Sequence, residues 1–434
     1  MKANKYTYIV SIDKKHSVIF NGIIKEFIVI DTDKVNSFVQ LLKKPDTFKE
    51  THSKIIQLLQ SKGIIIDDHI NERDYLTKEK DIFVNSKEYK TTILPTFECN
   101  YNCWYCVQKH EPVKIEQEKI DLIIKHVKKY LIENQIESYV LSWFGGEPLT
   151  QPNIIEYISQ SLKQFCNKHN IQFNSGITTN GALLTEKVIN ILKNCDVNYY
   201  QIAIDGDEKT HNNNKKEKEG KSSFAIILTN IVNLIKINEN AHVTLRLNYT
   251  IATLKSDSLI SDITKYIPTD IRHRIKVDLQ KVWQIQEKTI PMDLFLKLQR
   301  DFVSSGFQLC IDHVFAICYV EKQHYNMIYY NGGVEKCDKQ PMDKLRGYLN
   351  ADGNIIWKER PIFPDYNVFD SNSVCNNCYY YPLCYSGCPV RREELIIKSN
   401  KLTCGYEDYY EVFEQRIVDY CWRVIHNNKL NQYK

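Results

Sequence analysis

Short apolar stretches alternate with longer amphipathic stretches between residues 90 and 290. The longer ones, such as QEKIDLIIKHVKKYLIEN and NIIEYISQSLKQFCNKH, place apolar residues three or four positions apart, which predicts helices. The short ones predict six strands, in TTILPTF, YVLSWF, QFNSGIT, YYQIAI, HVTLRLNYT and RIKVDLQKVW. Strands that alternate with helices form right-handed βαβ units around a parallel sheet. Residues 90–300 are therefore expected to form an α/β fold, a partial (β/α)6 TIM-like barrel.

Residues 1–85 have a different pattern and are expected to form a small α+β domain. KYTYIVSI and HSVIFNGIIKEFIVI predict strands, and Asn21-Gly22 is a strong signal for a tight hairpin turn. Two helical stretches follow, and the charged segment NERDYLTKEKD is expected to be a linker. Residues 301–434 show little periodicity and are expected to be a loop-rich domain that a metal holds together.

Composition and charge exclude some classes of function. Apolar residues make up 43% and charged residues 25% of the 434 residues, and the net charge is +4, which gives no reason to expect nucleic acid or an anionic membrane as a partner. No apolar run approaches the roughly 18–20 residues that span a bilayer, and no signal-peptide pattern opens the chain. A cytoplasmic protein is expected.

Fourteen cysteines are many for such a protein, and they are clustered. In a reducing cytosol, clustered cysteines are more often metal ligands or catalytic groups than disulfides. Cys99, Cys103 and Cys106 form the first cluster, in a segment with two asparagines that follows a predicted strand. Their spacing is also that of one helix face, but the composition favours a loop. Three thiolates leave one position of a four-ligand site open.

The spacing Cys-x3-Cys-x2-Cys, with Tyr105 before the last cysteine, resembles the signature of the radical S-adenosylmethionine (SAM) enzymes. The resemblance implies a [4Fe–4S] cluster on Cys99, Cys103 and Cys106. It further implies that SAM chelates the open iron through its amino and carboxylate groups and that Tyr105 lies beside the adenine.

Motifs at the ends of the later strands support the same resemblance: FGGEP, TTNG, AIDG and RLN. The family pattern implies an amino-group site at Glu147, a carboxylate contact at Arg246, and a ribose contact in the TTNG turn. Alone, FGGEP could be a simple glycine turn, and Asp205 could be a ligand contact or a turn former. The SAM-binding residues expected from these motifs are Gly145, Gly146, Glu147, Thr179, Asn180, Asp205, Arg246 and Asn248.

The C-terminal cysteines resemble the SPASM extension of radical SAM enzymes. The pattern runs Cys375-x2-Cys378-x5-Cys384-x3-Cys388, with Cys404 after it. A zinc ribbon is the alternative, but with the two earlier cysteines, Cys318 and Cys337, the seven are too many for one tetrahedral ion. The resemblance implies two auxiliary [4Fe–4S] clusters, one bound by Cys318, Cys337 and Cys388, with Cys310 or an open iron as the fourth position, and the other by Cys375, Cys378, Cys384 and Cys404.

The remaining candidates are of less specific kinds. Cys166, Cys195 and Cys421 fit no cluster and are expected to be buried thiols. Asp338 stands where sulfatase-maturing relatives carry a general base, although a solvated loop aspartate is the simpler interpretation. HNNNKKEKEGK, residues 211–221, predicts a solvated loop near the barrel mouth.

The resemblance implies a reaction in which SAM is cleaved to a 5′-deoxyadenosyl radical that abstracts hydrogen from a precursor peptide. The expected product is a cross-link, thioether or carbon–carbon, in a ribosomally made peptide, with flavodoxin or ferredoxin as electron donor. Residues 1–85 resemble a winged-helix-like module that binds leader peptides, or they are a packing extension. The alternatives are an anaerobic sulfatase-maturing, formylglycine-forming enzyme and a non-catalytic iron–sulfur or zinc protein.

Overall fold

The structure, a computed structural model, describes residues 1–431 apart from 109, 217–221, 283, 286–289, 313, 339–344, 360, 362–366, 370–372, 400–403 and 405–409. The chain divides into two compact units. The barrel unit comprises Lys87–Cys310, His324–Pro361 and His426–Lys434. The other, here the cysteine-rich unit, comprises Met1–Ser86, Ile311–Gln323 and Ile362–Ile425.

The N-terminal part of the cysteine-rich unit is an α+β arrangement, as expected. Its elements are β1 (Lys2–Ala3), β2 (Thr7–Ser11), β3 (His16–Asn21), β4 (Phe27–Asp31), α1 (Val35–Lys43), α2 (Ser53–Ser61), β5 (Ile65–Ile66) and α3 (Glu72–Val84). Strands β2, β3 and β4 form an antiparallel sheet in that order, and β1 pairs with β5. Residues 22–26 join β3 to β4, so Asn21-Gly22 begins a longer connection than the predicted two-residue turn.

The expected linker after α2 is a helix instead. The Asn71 side chain accepts a hydrogen bond from the Arg73 N–H at 3.2 Å, which caps the start of α3. Leu76 on this helix is fully buried. The many charged residues of this segment favour a linker. Leu76, Lys80 and Val84 nevertheless recur at helical spacing and form one buried face of the helix.

The barrel unit is built on one large sheet. Its strands are β6 (Glu88–Leu94), β7 (Ser138–Trp143), β8 (Gln172–Thr179), β9 (Val197–Ile204), β10 (His242–Tyr249), β11 (Ile275–Lys281), β12 (Gln308–Leu309), β13 (Tyr325–Tyr329), β14 (Gly333–Glu335), β15 (Gly347–Leu349) and β16 (Ile355–Trp357). Its helices are α4 (Gln117–Glu133), α5 (Pro152–Lys168), α6 (Glu186–Asn194), α7 (Glu208–Asn214), α8 (Ser223–Ile237), α9 (Ile251–Leu254), α10 (Leu259–Tyr266), α11 (Thr269–Arg272) and α12 (Met292–Ser304).

The six predicted strands, β6 to β11, are parallel and adjacent in chain order, which confirms the partial (β/α)6 TIM-like barrel. The sheet extends further than expected. Strand β12 adds a parallel edge beyond β11, and β13 pairs in parallel with β6 before β14, β15 and β16 continue antiparallel. These additions were missed because β12 has two residues and β13 lies in the segment that was expected to be loop-rich.

The expected loop at residues 211–221 is partly helical. Residues 211–214 belong to α7, and the side chains of His211 and Lys215 are buried. Residues 217–221 lie outside the described part of the chain. The many asparagines and lysines of this segment favour a solvated loop. Its first four residues nevertheless end a helix, and the side chains of His211 and Lys215 pack into the protein.

The last helices are α13 (Tyr381–Cys384), α14 (Pro389–Ser399) and α15 (Tyr410–Asn431). Their segment shares a core with the N-terminal sheet. The ring of Phe20 on β3 lies 5.8 Å from that of Phe315 and 5.8 Å from that of Tyr420, and Tyr8 lies 4.6 Å from Tyr379. Residues 301–434 are thus divided between the two units. Ile311–Gln323 and Ile362–Ile425 join the N-terminal residues because their apolar side chains pack together and are removed from water.

No helix in the described part of the chain has both the length and the apolar character needed to cross a membrane.

Candidate active site

The cysteine loop follows β6, at the carboxyl edge of the parallel sheet, where α/β folds place their ligands. Its three thiols line a cavity of about 230 Å³. Most of the residues predicted from the later motifs line the same cavity: Tyr105, Gly145, Gly146, Thr179, Asn180, Arg246, Asn248 and Asp338. The structure thus brings together, in one cavity, residues that lie up to 239 positions apart in the chain.

The two glycines of FGGEP hold the cysteine loop against the sheet. A Cβ on Gly146 would lie 2.3 Å from the Glu98 carbonyl oxygen, and one on Gly145, at φ +126°, would lie 2.5 Å from that of Thr96. Backbone hydrogen bonds use this close approach, from the Gly146 N–H to Thr96 (3.2 Å) and from the Glu147 N–H to Glu98 (2.8 Å). Besides lining the cavity, the glycines therefore bring two backbone segments into contact.

The carboxylate of Glu147 is fully buried and bonds to the TTNG turn. It accepts hydrogen bonds from the Thr179 Oγ1–H (2.7 Å), the Asn180 N–H (2.7 Å) and the Leu149 N–H (3.0 Å). Burial raises the pKa of Glu147, and these hydrogen bonds oppose the rise. Its side chain ties the ends of β7 and β8 together, and it is Asn180 that lines the cavity.

Asn180 links the TTNG turn to the first cysteine. Its Nδ2–H donates to the Asn100 side-chain oxygen at 2.7 Å, and Nδ2 lies 3.9 Å from the Cys99 sulfur. The Tyr101 N–H also points at that sulfur, at 3.5 Å. N–H groups directed at a cysteine sulfur stabilise negative charge on it, as expected of a metal-bound thiolate.

A second network joins the tyrosine of the cysteine loop to β9 and β10. The Tyr105 hydroxyl donates to both carboxylate oxygens of Asp205, at 2.6 and 2.7 Å, and the Asn248 Nδ2–H donates to Asp205 at 3.1 Å. Arg246 donates from Nε to the Asn248 side-chain oxygen at 3.1 Å. Asp205 is 1% exposed, so it acts inside the protein as the acceptor that orients Tyr105 and Asn248.

Lys215 is a cavity-lining cation that the sequence analysis assigned to a loop. It is 3% exposed, and its Nζ lies 3.7 Å from Asp205 and donates to the Ala203 carbonyl. One turn earlier on α7, His211 accepts from the Asp205 N–H through Nδ1 at 3.1 Å. Burial lowers the pKa of His211, which keeps the ring neutral and able to accept. The i, i+4 spacing of His211 and Lys215 directly after AIDG was the available signal.

Burial raises the pKa of two of the three thiols. Burial raises the pKa of Cys99 to about 12 and that of Cys103 to about 11, and Lys215 opposes the rise at Cys103. Cys106 is exposed, and its sulfur lies 3.3 Å from His110 Nε2. A metal supplies the positive charge that three thiolates in one cavity require.

The residues fit a cluster better than a single ion. Among the described residues, no three His, Cys, Asp or Glu side chains lie close enough together to bind one ion. An iron–sulfur cube binds each thiolate at a different iron, so its ligands are more widely spaced than those of one ion. Cys99, Cys103 and Cys106 line one cavity, and three thiolates are the donor set for such a cluster with one open iron.

The C-terminal candidates divide between the units. Cys375, Cys378, Cys384 and Cys404 all belong to the cysteine-rich unit, as do Cys318 and Cys388, whereas Cys310 and Cys337 belong to the barrel unit. Burial raises the pKa of Cys384 to about 12, and the nearby Cys375, Cys378 and Cys404 raise it further, so these four thiols are close enough to interact. Cys166, Cys195 and Cys421 are buried, as predicted.

Comparison with known proteins adds independent support. The Radical SAM superfamily profile matches residues 93–252. Radical SAM cyclopropyl synthase TigE of Paramaledivibacter caminithermalis is 28% identical over 309 residues, which cover 66% of this chain and 56% of TigE, so the chain matches just over half of that relative. The cysteine-type anaerobic sulfatase-maturating enzyme of Clostridium novyi is 21% identical over 355 residues, 74% of this chain and 92% of the relative.

Solved structures support the fold. Native anSMEcpe with bound AdoMet superposes with a TM-score of 0.53 at 17% identity, covering 80% of this chain and all of that one. The matched family uses a [4Fe–4S] cluster and SAM. The three-cysteine loop, the strand-end motifs and this match, which runs from the end of β6 past β10, indicate that residues 93–252 form a radical SAM domain. The chain is similar to a cyclopropyl synthase and to a sulfatase-maturating enzyme.

Proposed function

We propose that this chain is a radical SAM peptide maturase that forms a cross-link, thioether or carbon–carbon, in a ribosomally made precursor peptide. The observation that carries the proposal is the single cavity that the three thiols share with Arg246, Asn248 and Asp338. When bound there, a reduced [4Fe–4S] cluster with SAM supplies a 5′-deoxyadenosyl radical that removes a hydrogen atom from the substrate. The protein's own work is to bind, orient and exclude water.

In this proposal the cavity residues divide the work of holding SAM. Arg246 and Lys215 supply positive charge for the SAM carboxylate. Tyr105, fixed by Asp205, forms a wall for the adenine, and the turn at Thr179 and Asn180 contacts the ribose. Glu147 contributes indirectly in this proposal: its carboxylate holds the turn in place by accepting hydrogen bonds from Thr179 and Asn180. Its assignment as the amino-group site would require it to exchange these bonds for the ligand.

Asp338 is proposed as the group that accepts a proton from the substrate. It is half-buried and lines the cavity with the three thiols, which a purely solvated loop aspartate would not do. A carboxylate at the mouth of a SAM site can receive the proton released when a product radical forms a bond and loses an electron. The auxiliary clusters, proposed to number two, would accept that electron.

Strand β4 is proposed to bind the leader part of the precursor. In the described part of the chain β4 pairs with β3 alone, which leaves one edge open to an added strand. At the other edge of this sheet, Tyr379 donates to the Thr7 carbonyl of β2 at 2.6 Å and partly occupies it. Hydrogen exchange should therefore slow in β4, and not in β2, when the precursor is added, and a precursor without its leader should change neither.

SAM cleavage tests the enzyme itself. Anaerobically reconstituted protein with dithionite should release 5′-deoxyadenosine, and replacing Cys99, Cys103 or Cys106 with alanine should abolish the release. Cys166→Ala is the matched control, because that thiol is fully buried away from the cavity lining and should be dispensable. Full cleavage activity in Cys103→Ala would refute the assignment of the cluster.

The product distinguishes the two candidate reactions. A short open reading frame beside the gene, co-expressed without oxygen, supplies the candidate precursor. A cross-link removes two hydrogen atoms and suppresses fragmentation between the joined residues. The relative TigE is by name a cyclopropyl synthase, which favours bond formation at carbon.

Formylglycine formation is the second candidate, favoured by the match along 92% of a sulfatase-maturating enzyme. An aldehyde reacts with a hydrazine probe and leaves the backbone fragmentation intact, whereas a cross-link does neither. A probe-reactive product from a sulfatase peptide, with no modified precursor, would replace the first proposal with this one.

A further inference from the structure

A fully buried arginine in the cysteine-rich unit has two guanidinium nitrogens without an acceptor among the residues that the structure describes. Arg392 on α14 is 1% exposed, and its Nη1–H donates to Glu321 at 2.9 Å. Its Nε and Nη2 have no hydrogen-bond partner among the described residues. Buried guanidinium N–H groups are normally satisfied, because leaving them unpaired is strongly unfavourable. The orphaned groups therefore indicate an acceptor that the protein chain does not provide.

Arg392 shares its carboxylate partner with a lysine. Glu321 is 1% exposed and also lies 3.4 Å from Lys80 Nζ, so one carboxylate serves two cations. A buried ion pair is stable only when its remaining donors are also satisfied. An anionic acceptor beside Arg392 would meet both requirements, since it would pair with the free N–H groups and offset the charge.

The backbone of each partner of this ion pair is hydrogen-bonded to that of a cysteine that was predicted to bind an auxiliary cluster. The backbone N–H of Arg392 donates to the Cys388 carbonyl at 2.9 Å, one helical turn away. The backbone N–H of Glu321 donates to the Cys318 carbonyl at 3.0 Å. The positive charge of Arg392 also lowers the pKa of the Cys318 thiol, against the rise caused by burial. The charge of the guanidinium thus reaches Cys318, and it also lowers the pKa of the Cys375 thiol, a candidate ligand of the other cluster.

We propose that Arg392 donates its Nε–H and Nη2–H groups to thiolate or sulfide sulfur of the cluster bound by Cys318 and Cys388, and that Glu321 positions the guanidinium for this contact. The inference rests on the proposed auxiliary clusters. Hydrogen bonds and positive charge near the sulfurs stabilise the more negative, reduced cluster and raise its reduction potential. Arg392 is a positioning and tuning residue, not a ligand.

The test isolates the auxiliary clusters from SAM chemistry. In a parent protein with Cys99, Cys103 and Cys106 all replaced by alanine, iron and sulfide contents and the potentials from an EPR-monitored dithionite titration are compared between Arg392→Gln, Arg392→Lys and Arg391→Gln. Arg391 is the matched control, because it is the exposed neighbour on the same helix. Arg392→Gln should shift the potential of one auxiliary cluster downward, Arg392→Lys should shift it less, and Arg391→Gln should leave it at the parent value.

Equal potentials in Arg392→Gln and Arg391→Gln, at equal iron content, would overturn the inference. If Arg392→Gln does not fold by circular dichroism, Arg392→Lys decides, and an unshifted potential in that variant overturns it equally. A parent that holds no iron would remove the auxiliary clusters and this inference together. SAM cleavage by the wild-type protein would then still support the rest of the proposed function.

Discussion

The two groups of cysteines differ in how far the chain must fold before each site exists. In the barrel unit, most parts of the cavity lie at or just past the ends of successive strands from β6 to β10, so parallel pairing of neighbours in sequence brings them together. In the cysteine-rich unit, the C-terminal cysteines pack on a sheet formed by the first 31 residues of the chain. The candidate SAM cavity is assembled by local topology, whereas Cys375, Cys378 and Cys384, candidate ligands of a proposed auxiliary cluster, are positioned by contacts between the two ends of the chain.

Side chains from the N-terminal sheet hold the C-terminal segment in detail. The Tyr8 hydroxyl donates to the Tyr379 carbonyl, and Lys25 Nζ donates to the Pro382 carbonyl at 2.7 Å. Burial lowers the pKa of Lys25 to about 8. An extension that could have been a separate recognition module is therefore also a structural part of the cysteine-rich unit.

The largest expected effect tests this shared core. Phe20→Ala should destabilise the cysteine-rich unit by about 4 kcal/mol, because a fully buried aromatic ring is lost between Phe315 and Tyr420. Hydrogen exchange should accelerate around residues 315 and 413–421, far away in sequence. Ile19→Ala is the matched control, since this neighbour faces the separate core with α1 and α2. Unchanged hydrogen exchange around residue 315 in Phe20→Ala would mean that the two chain ends do not depend on a shared core.

The corresponding test in the barrel unit concerns backbone contact. Gly146→Ala should cost about 3 kcal/mol or more, because its Cβ would lie 2.3 Å from the Glu98 carbonyl oxygen. The cysteine loop should move, and both 5′-deoxyadenosine release and cluster content should fall sharply. Gly332→Ala is the control, since its Cβ would meet only the Lys119 Cδ at an ordinary 3.9 Å, so its cost is limited to the strain of its φ of +81°. Near wild-type cleavage in Gly146→Ala would mean that the loop does not depend on this contact.

Acid should affect the barrel unit through its buried histidines, among them His126. His126 bonds to the Tyr89 hydroxyl (2.9 Å) and the Gly353 carbonyl (2.8 Å), and burial lowers its pKa from 6.5 to about 4. As the pH falls from about 6.5 to about 4, His126 binds a proton in the unfolded chain but stays neutral in the folded chain. Stability should therefore fall by up to about 3 kcal/mol over that window and by no more below it.

Denaturant titrations at several pH values measure that loss. His126→Gln keeps an acceptor for Tyr89 but cannot titrate, so its stability should depend less on pH in the same window. An identical pH profile in the variant would assign the acid sensitivity to other groups.

The smallest effect sharpens the role of the cavity network. Tyr105→Phe removes the hydroxyl that donates to Asp205 and should weaken SAM binding about tenfold, the loss of roughly one hydrogen bond to a charged group. The KM for SAM should rise while the maximal rate of cleavage changes little. Tyr200→Phe, a variant of a buried tyrosine on β9 that does not line the cavity, is the control. A fall in rate at unchanged KM would place Tyr105 in the cleavage step itself.

Much of the barrel could be predicted because its signals are local. Each strand is a short apolar run, and each motif lies at or just past the end of its strand, as with FGGEP after β7 and TTNG at the end of β8. The extra strands β12 and β13 could not be predicted, since two residues carry no periodicity and β13 gains its place by pairing with β6 across more than 200 residues. Lys215 was missed because a lysine in a polar run is normally solvated, and only the packing of α7 buries it.

The sequence by itself determined the chemistry of this protein: three thiols at a fixed spacing, glycines where backbones must meet, and parallel strands to align them. Only the tertiary structure decided which residues act through others, as Glu147 does through Asn180, and which distant segments share a core. The physical reason is that spacing along a chain specifies local geometry, whereas burial and hydrogen-bond partners depend on contacts between segments far apart in sequence.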